Sequence, residues 1–146
     1  MTYFDFLFYS IANNQFTDMG TIESSICLIF MLLAGHAIAD FCLQNDFVAR
    51  FKSRKTELPP GLPRGTWFWV LGSHSLTHGL VVFLVTRSMW LGIMETVAHW
   101  VIDFGKCEGW CGFHLDQALH VLCKFAWAYI VIRYGMWDGL DLVEYD

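Results

Sequence analysis

Charge is scarce in this 146-residue chain: Asp, Glu, Lys and Arg make up 16% of it, against roughly 25% in soluble globular domains. Hydrophobic residues reach 55% and the mean hydropathy is +0.43, so the composition cannot supply a polar coat around an ordinary soluble core. An aromatic fraction of 17% excludes a disordered tail or a coiled coil. A basic excess is missing too, since the net charge is −5, and no nucleic-acid partner is expected. Proline is confined to Pro59, Pro60 and Pro63, so nothing outside that stretch breaks a long helix. The five cysteines are scattered, and Cys27, Cys42 and Cys123 fall in apolar runs where a thiol acts as a small hydrophobe, which excludes a disulfide scaffold. Met1-Thr2-Tyr3-Phe4-Asp5 lacks both a basic n-region and a small-residue cleavage site, so the first segment is expected to stay. Internal repeats and low-complexity tracts are absent from the sequence.

What the chain has instead is apolar length. A helix crosses a bilayer with about 20 residues, and residues 22–44, 67–86, 89–106 and 115–137 each approach that. The expected fold is all-α: one transmembrane domain over residues 1–146, an integral membrane four-helix bundle. The first twenty residues, with Tyr3, Phe4, Phe6, Phe8 and Tyr9, read as an N-terminal interfacial segment. A soluble four-helix bundle is the competitor, but it needs solvated helix faces. Between residues 66 and 105 the charged side chains are Arg87, Glu95 and Asp103 alone, too few to draw one. The stretch 46–65 carries all three prolines together with Arg50, Lys52, Arg54, Lys55 and Arg64. By the positive-inside rule it is the cytoplasmic loop, with both termini outside. The same basic cluster also suits anionic lipid headgroups, although topology alone explains it. Trp67, Trp69, Trp90, Trp110 and Trp137 lie near span ends, as interfacial anchors do.

Each span carries ionisable or polar residues four apart, the offset that stacks side chains on one helix face. His36 and Asp40 are continued by Gln44; His74 is followed by His78; Glu95, His99 and Asp103 run toward Lys106; Asp116 precedes His120. Antiparallel helices bring these to overlapping depths on the loop side. Taken singly, each is a polar residue hydrogen-bonded to a neighbouring helix. Taken together, the carboxylates oppose insertion by about 2.5 to 3.5 kcal/mol each at a span centre, and need a counter-charge. Imidazole and carboxylate ligands suit a divalent cation, Zn first and then Mn or Fe, as one ion or two. The candidate ligands are His36, Asp40, His74, His78, His99, Asp103 and His120. Cys107, Cys111 and His114 lack a fourth partner and read as a glycine-rich turn. Lys124, four residues after His120, either faces a carboxylate or snorkels.

The ordered set His36-x3-Asp40-Phe41-x2-Gln44, His74-x3-His78, Glu95-x3-His99-x3-Asp103-x2-Lys106 and Asp116-Gln117-x2-His120 resembles the small bacterial and phage membrane proteins of the DUF3307 family, from about Gly20 to Tyr134. It is similar, more distantly, to membrane-bound metal-dependent hydrolases. The resemblance implies a multi-span helical protein with a metal centre. The expected activity is then metal-dependent hydrolysis of a membrane lipid or lipid-like ester or phosphoester. Glu95 or Asp116 would accept the proton, Lys106 would stabilise developing negative charge, and Gln44 and Gln117 would orient substrate or ligands. Three other readings stay open: a proton or ion relay, for which copies of the chain would assemble into a homo-oligomer; a haem-binding bundle; and an accessory protein that binds a host membrane component.

Overall fold

The computed structural model describes residues 22–134. The interfacial segment expected in the first twenty residues, Trp137 and the acidic C-terminal stretch lie outside the described residues. Within them the chain is helical, with no strand: α1 (Ile22–Ala37), a π-helical turn (Ile38–Cys42), α2 (Asp46–Phe51), α3 (Thr66–Thr86), α4 (Met89–Glu108) and α5 (Phe113–Tyr134).

The local chemistry explains these boundaries. The π turn closes with the Leu43 N–H donating to the Ile38 carbonyl at 2.9 Å, five residues back. Asn45 then starts α2, its side-chain oxygen accepting from the Val48 N–H at 3.0 Å, with Asp46 in the favourable first turn. The stretch expected as a loop over 46–65 therefore opens with a helix, and only its proline-rich remainder is irregular. Arg87 ends α3 in the left-handed region at φ 59°, and Ser88 begins α4 at once by accepting from the Leu91 N–H. Gly109, at φ 82°, stops α4 in a conformation that residues with a Cβ rarely adopt.

α3 and α4 share the most extensive contact, α1 lies against α3 and α5, and α4 packs on α5. Small residues allow the close α3–α4 approach: a Cβ on Gly79 would meet Thr96 Oγ1 at 1.9 Å and the Gly92 carbonyl oxygen at 2.6 Å. Leu28, Leu32, Val82, Leu91, Trp127, Ala128 and Val131 form an apolar core at the end away from the 46–65 stretch. Beyond it the packing inverts. Among the described residues fourteen polar or charged residues are buried against ten apolar ones, while Phe30, Leu76, Leu80, Val97, Val101, Leu122, Phe125 and Tyr129 face outward. Apolar outer faces around a polar interior are the reverse of a soluble domain.

Among the described residues three helices are long and apolar enough to cross a membrane, over Ser25–Cys42, Thr66–Thr86 and Phe113–Tyr134. α4, expected as a span, has 20 residues but carries Glu95, Asp103, Lys106 and Glu108, and it is not among the three. Its charged side chains face its neighbours: Glu95 and Asp103 are buried.

Candidate metal centre

All five imidazoles of the polar stripe converge in the half of the molecule nearer the 46–65 stretch. His78 and His99 stack with ring centroids 3.6 Å apart, and His99 stacks on His120 at 4.0 Å. His74 lies 4.8 Å from His78 and 5.0 Å from His99, and His36 lies 5.2 Å from His78. Each comes from a different turn of α1, α3, α4 or α5, and all five are at most 5% exposed. The four-residue spacing supplies the alignment within a helix, and the contacts among helices bring the lines together.

Four carboxylates surround the rings, and three of them have a lysine. Lys52 Nζ donates to Asp103 Oδ2 at 2.6 Å, Lys106 Nζ to Asp116 Oδ2 at 2.7 Å, and Lys124 Nζ to Glu95 Oε1 at 2.5 Å. Trp127 Nε1 holds the other Glu95 oxygen at 2.6 Å. Asp40 has no lysine partner. Gln117 Nε2 donates to its Oδ2 at 3.0 Å, while His74 Nε2 and His78 Nε2 approach its Oδ1 at 3.2 and 3.3 Å. His36 Nε2 lies 3.7 Å from Oδ2. Asp40 stands in the π turn, a local distortion often found at functional sites.

The ring nitrogens nearest these carboxylates make no hydrogen bonds. Nε2 of His36, His74 and His78, both ring nitrogens of His99 and of His120, and Asp116 Oδ1 are buried without a hydrogen-bond partner. Buried polar atoms in that state are costly, and a cluster of them on imidazoles calls for a ligand that accepts nitrogen lone pairs. Two groups have ligand atoms mutually within 4.8 Å: Asp40, His74, His78 and His99, and then His99, Asp103 and His120. These nitrogen and oxygen donors fit a divalent cation.

Of the residues expected in the site, His36 joins the ring cluster but belongs to neither four-atom nor three-atom group. Glu95 lies at its deep end, Nδ1 of His99 being 3.5 Å from Oε1. Asp116 Oδ1 lies 3.5 Å from His120 Nε2. Gln44, just past the π turn, reaches back to donate to the Asp40 carbonyl at 3.0 Å, and so braces the backbone that carries Asp40. Cys107, Cys111 and His114 are absent from both groups. Sequence reasoning did not place Lys52 or Trp127 in the cluster. Asn45, a helix-capping residue, was the signal that Lys52 sits at a helix end rather than in an open loop; Trp127 carried no comparable signal.

Outside the helices' apolar stretches, a second layer closes this end. Arg54 forms two bonds to the Glu108 carboxylate, at 2.7 and 3.0 Å, and lies over the Phe104 ring at 5.3 Å. The bonds raise the Arg54 pKa and hold the Glu108 carboxyl below its ordinary range.

The molecule is thus a helical protein with helices fit to cross a membrane and a buried His/Asp cluster able to hold a metal ion. Residues 28–137 match a family described as protein of unknown function (DUF3307), and the chain belongs to that family. No curated protein and no solved structure matches it.

Proposed function

We propose that this is an integral membrane protein with four transmembrane helices, in which Asp40, His74, His78 and His99 hold a divalent metal, zinc by preference, for hydrolysis of a lipid-like ester or phosphoester. The observation that carries the reading is the charge inventory of the cluster. Three of its four carboxylates are matched by lysines, while Asp40 is faced at 3.2 and 3.3 Å by Nε2 of His74 and His78, whose geometry is poorly aligned for hydrogen bonds to it. A cation bound there satisfies the carboxylate and the nitrogens together.

A metal so held supplies Lewis acidity and a bound water with a pKa near about 7. The chain's own residues divide the remaining work. Asp116 Oδ1 is free of hydrogen bonds and stands beside His120, which suits it to accept a proton, whereas both Glu95 oxygens are engaged by Lys124 and Trp127. Lys106 and Gln117 fix Asp116 from the other side. Lys52, buried beside Asp103 with its ammonium bonded to that carboxylate, brings a positive charge to the edge of the cluster where it would favour a developing oxyanion. The apolar core beyond Glu95, with Leu28, Leu32, Val82 and Leu91, interrupts the polar line, which favours a closed site over a relay through the membrane. The six basic residues Arg50, Lys52, Arg54, Lys55, Arg64 and Lys106 gather at the end that holds the site, which supports a cytoplasmic loop and substrate entry from the inner leaflet.

The test is metal analysis of detergent-purified protein by mass spectrometry, with chelator competition. The wild type is expected to retain Zn, Mn or Fe at about one or two ions per chain. Asp40→Asn is expected to lower metal affinity by at least about 10- to 100-fold, and the paired Glu95→Gln, Lys124→Met variant, which leaves no buried charge unmatched, to lower it far less. Equal retention by wild type and Asp40→Asn would remove the centre from Asp40, and a metal-free wild type after reconstitution would end the reading.

A further inference from the structure

A second feature lies outside the cluster, where the 46–65 stretch meets the start of α3. Ser53, Arg54, Thr56, Leu58, Leu62, Arg64, Gly65 and Trp67 line a pocket of about 440 Å³. Its chemistry is divided. Two guanidinium groups and two hydroxyls form one part, and two leucines with an indole form the other. None of these residues belongs to either metal-binding group.

The two arginines are differently prepared. Arg54 is fixed by the Glu108 carboxylate and the Phe104 ring, through Nε and Nη2, which leaves Nη1 outside that pair. Arg64 is exposed and has no ion pair among the described residues. Such a side chain, facing a pocket that a second arginine lines, offers its charge to an anion from outside. The apolar wall is equally specific: a free inorganic anion gains nothing from Leu58, Leu62 and Trp67, whereas an anion carried on a hydrocarbon body gains from both parts.

The pocket's level in the molecule names the source. Directly beside it Trp67 packs against Trp100 and Phe104, with ring centroids 6.4 and 5.9 Å apart, and Phe68 and Trp69 stand on the outer surface of the same turn. A belt of indole and phenyl rings at the end of apolar helices marks the headgroup level of a bilayer. We propose that the pocket binds the phosphate of an anionic phospholipid, with Arg54 and Arg64 on the phosphate and Leu58, Leu62 and Trp67 against the glycerol and upper acyl chain. The site stands apart from the metal centre and does not require it.

The experiment is native mass spectrometry of the full-length protein released from detergent, after incubation with phosphatidylglycerol or phosphatidylcholine of the same acyl composition. Phosphatidylglycerol is expected to be retained in preference to phosphatidylcholine. Arg64→Ala, at an exposed residue with no ion pair, is expected to cut that retention about fivefold, the contribution of one basic residue near an anionic surface. Arg50→Ala removes a charge from the same stretch that does not line the pocket, and is expected to leave retention unchanged. Equal retention of the two lipids would overturn the proposal, as would Arg50→Ala and Arg64→Ala causing equal losses, which is the mark of diffuse attraction. Displacement of the lipid by inorganic phosphate at millimolar concentration would reassign the pocket to a soluble anion. Asp40→Asn should leave lipid retention intact, so failure of the metal reading and failure of this one are told apart.

Discussion

Lys124 and Glu95 are each 1% exposed and are joined at 2.5 Å, so removing either one strands a charge in an apolar interior. Lys124→Met is expected to destabilise the protein by about 3 to 5 kcal/mol, the cost of an uncompensated buried charge. Lys124→Met combined with Glu95→Gln should recover most of that loss, because the neutral amide keeps the Trp127 bond and needs no ammonium. Denaturant titration in detergent checks it, and a double variant no more stable than the single would refute the pairing as the cause. At this scale the sequence was legible where periodicity spoke: the four-residue spacings of His36 with Asp40, His74 with His78, and Glu95 with His99 and Asp103 do share faces that meet. It was not legible where the partner came from another element. Lys52 reads as one more basic residue of a loop, and nothing in a linear sequence tells that its ammonium reaches Asp103 across 51 positions. Lys124 was legible only as a choice between a carboxylate and the interface.

Between elements, a group of polar bonds pins the stretch after α2 to the end of α4. Arg54 bonds both Glu108 oxygens, and Lys55 Nζ donates to the Glu108 carbonyl at 2.5 Å. The Arg54 bonds, first of all, depress the Glu108 pKa below its ordinary value. A depressed carboxylate contributes its stabilisation in full above the unfolded-state pKa, about 4.3, and loses it as pH falls through the lower folded value. The tie is therefore expected to hold at neutral pH and to release in acid, as pH falls below the ordinary glutamate range. Amide hydrogen exchange of residues 53–57, normalised to intrinsic rates, should show protection falling across that window. Glu108→Gln should show weaker protection with little pH dependence; a wild-type profile in that variant would show that the ion pair does not hold the segment. α2 itself escaped a reading based on charge and proline, since a six-residue helix carries too little apolar period to announce itself. Its Asn45 cap was the legible part. The π turn at Ile38–Cys42 had no such mark, because one added residue leaves a continuous apolar run looking the same.

For the molecule as a whole, the exposed apolar faces of α1, α3 and α5 agree with a membrane setting, and α4 is the element that tests it. α4 has the length of a span, yet Glu95 and Asp103 lie well inside it, and each costs about 2.5 to 3.5 kcal/mol at the centre of an isolated inserting helix. In the folded protein Lys124 and Trp127 of α5 satisfy Glu95, and Lys52 satisfies Asp103. None of those partners is present when α4 meets the bilayer alone. Its nearest help is α3, joined to it through Arg87 and Ser88 and packed on it at Gly79 and Gly92. In a glycosylation-reporter insertion assay α3 alone is therefore expected to insert efficiently and α4 alone poorly. The α3–α4 hairpin should insert well, and Glu95→Leu with Asp103→Leu should bring α4 alone close to α3. If unmodified α4 inserted alone as readily as α3, its carboxylates would not be the barrier, and their burial against the other helices would reflect the site's chemistry without any part in how the chain enters the membrane.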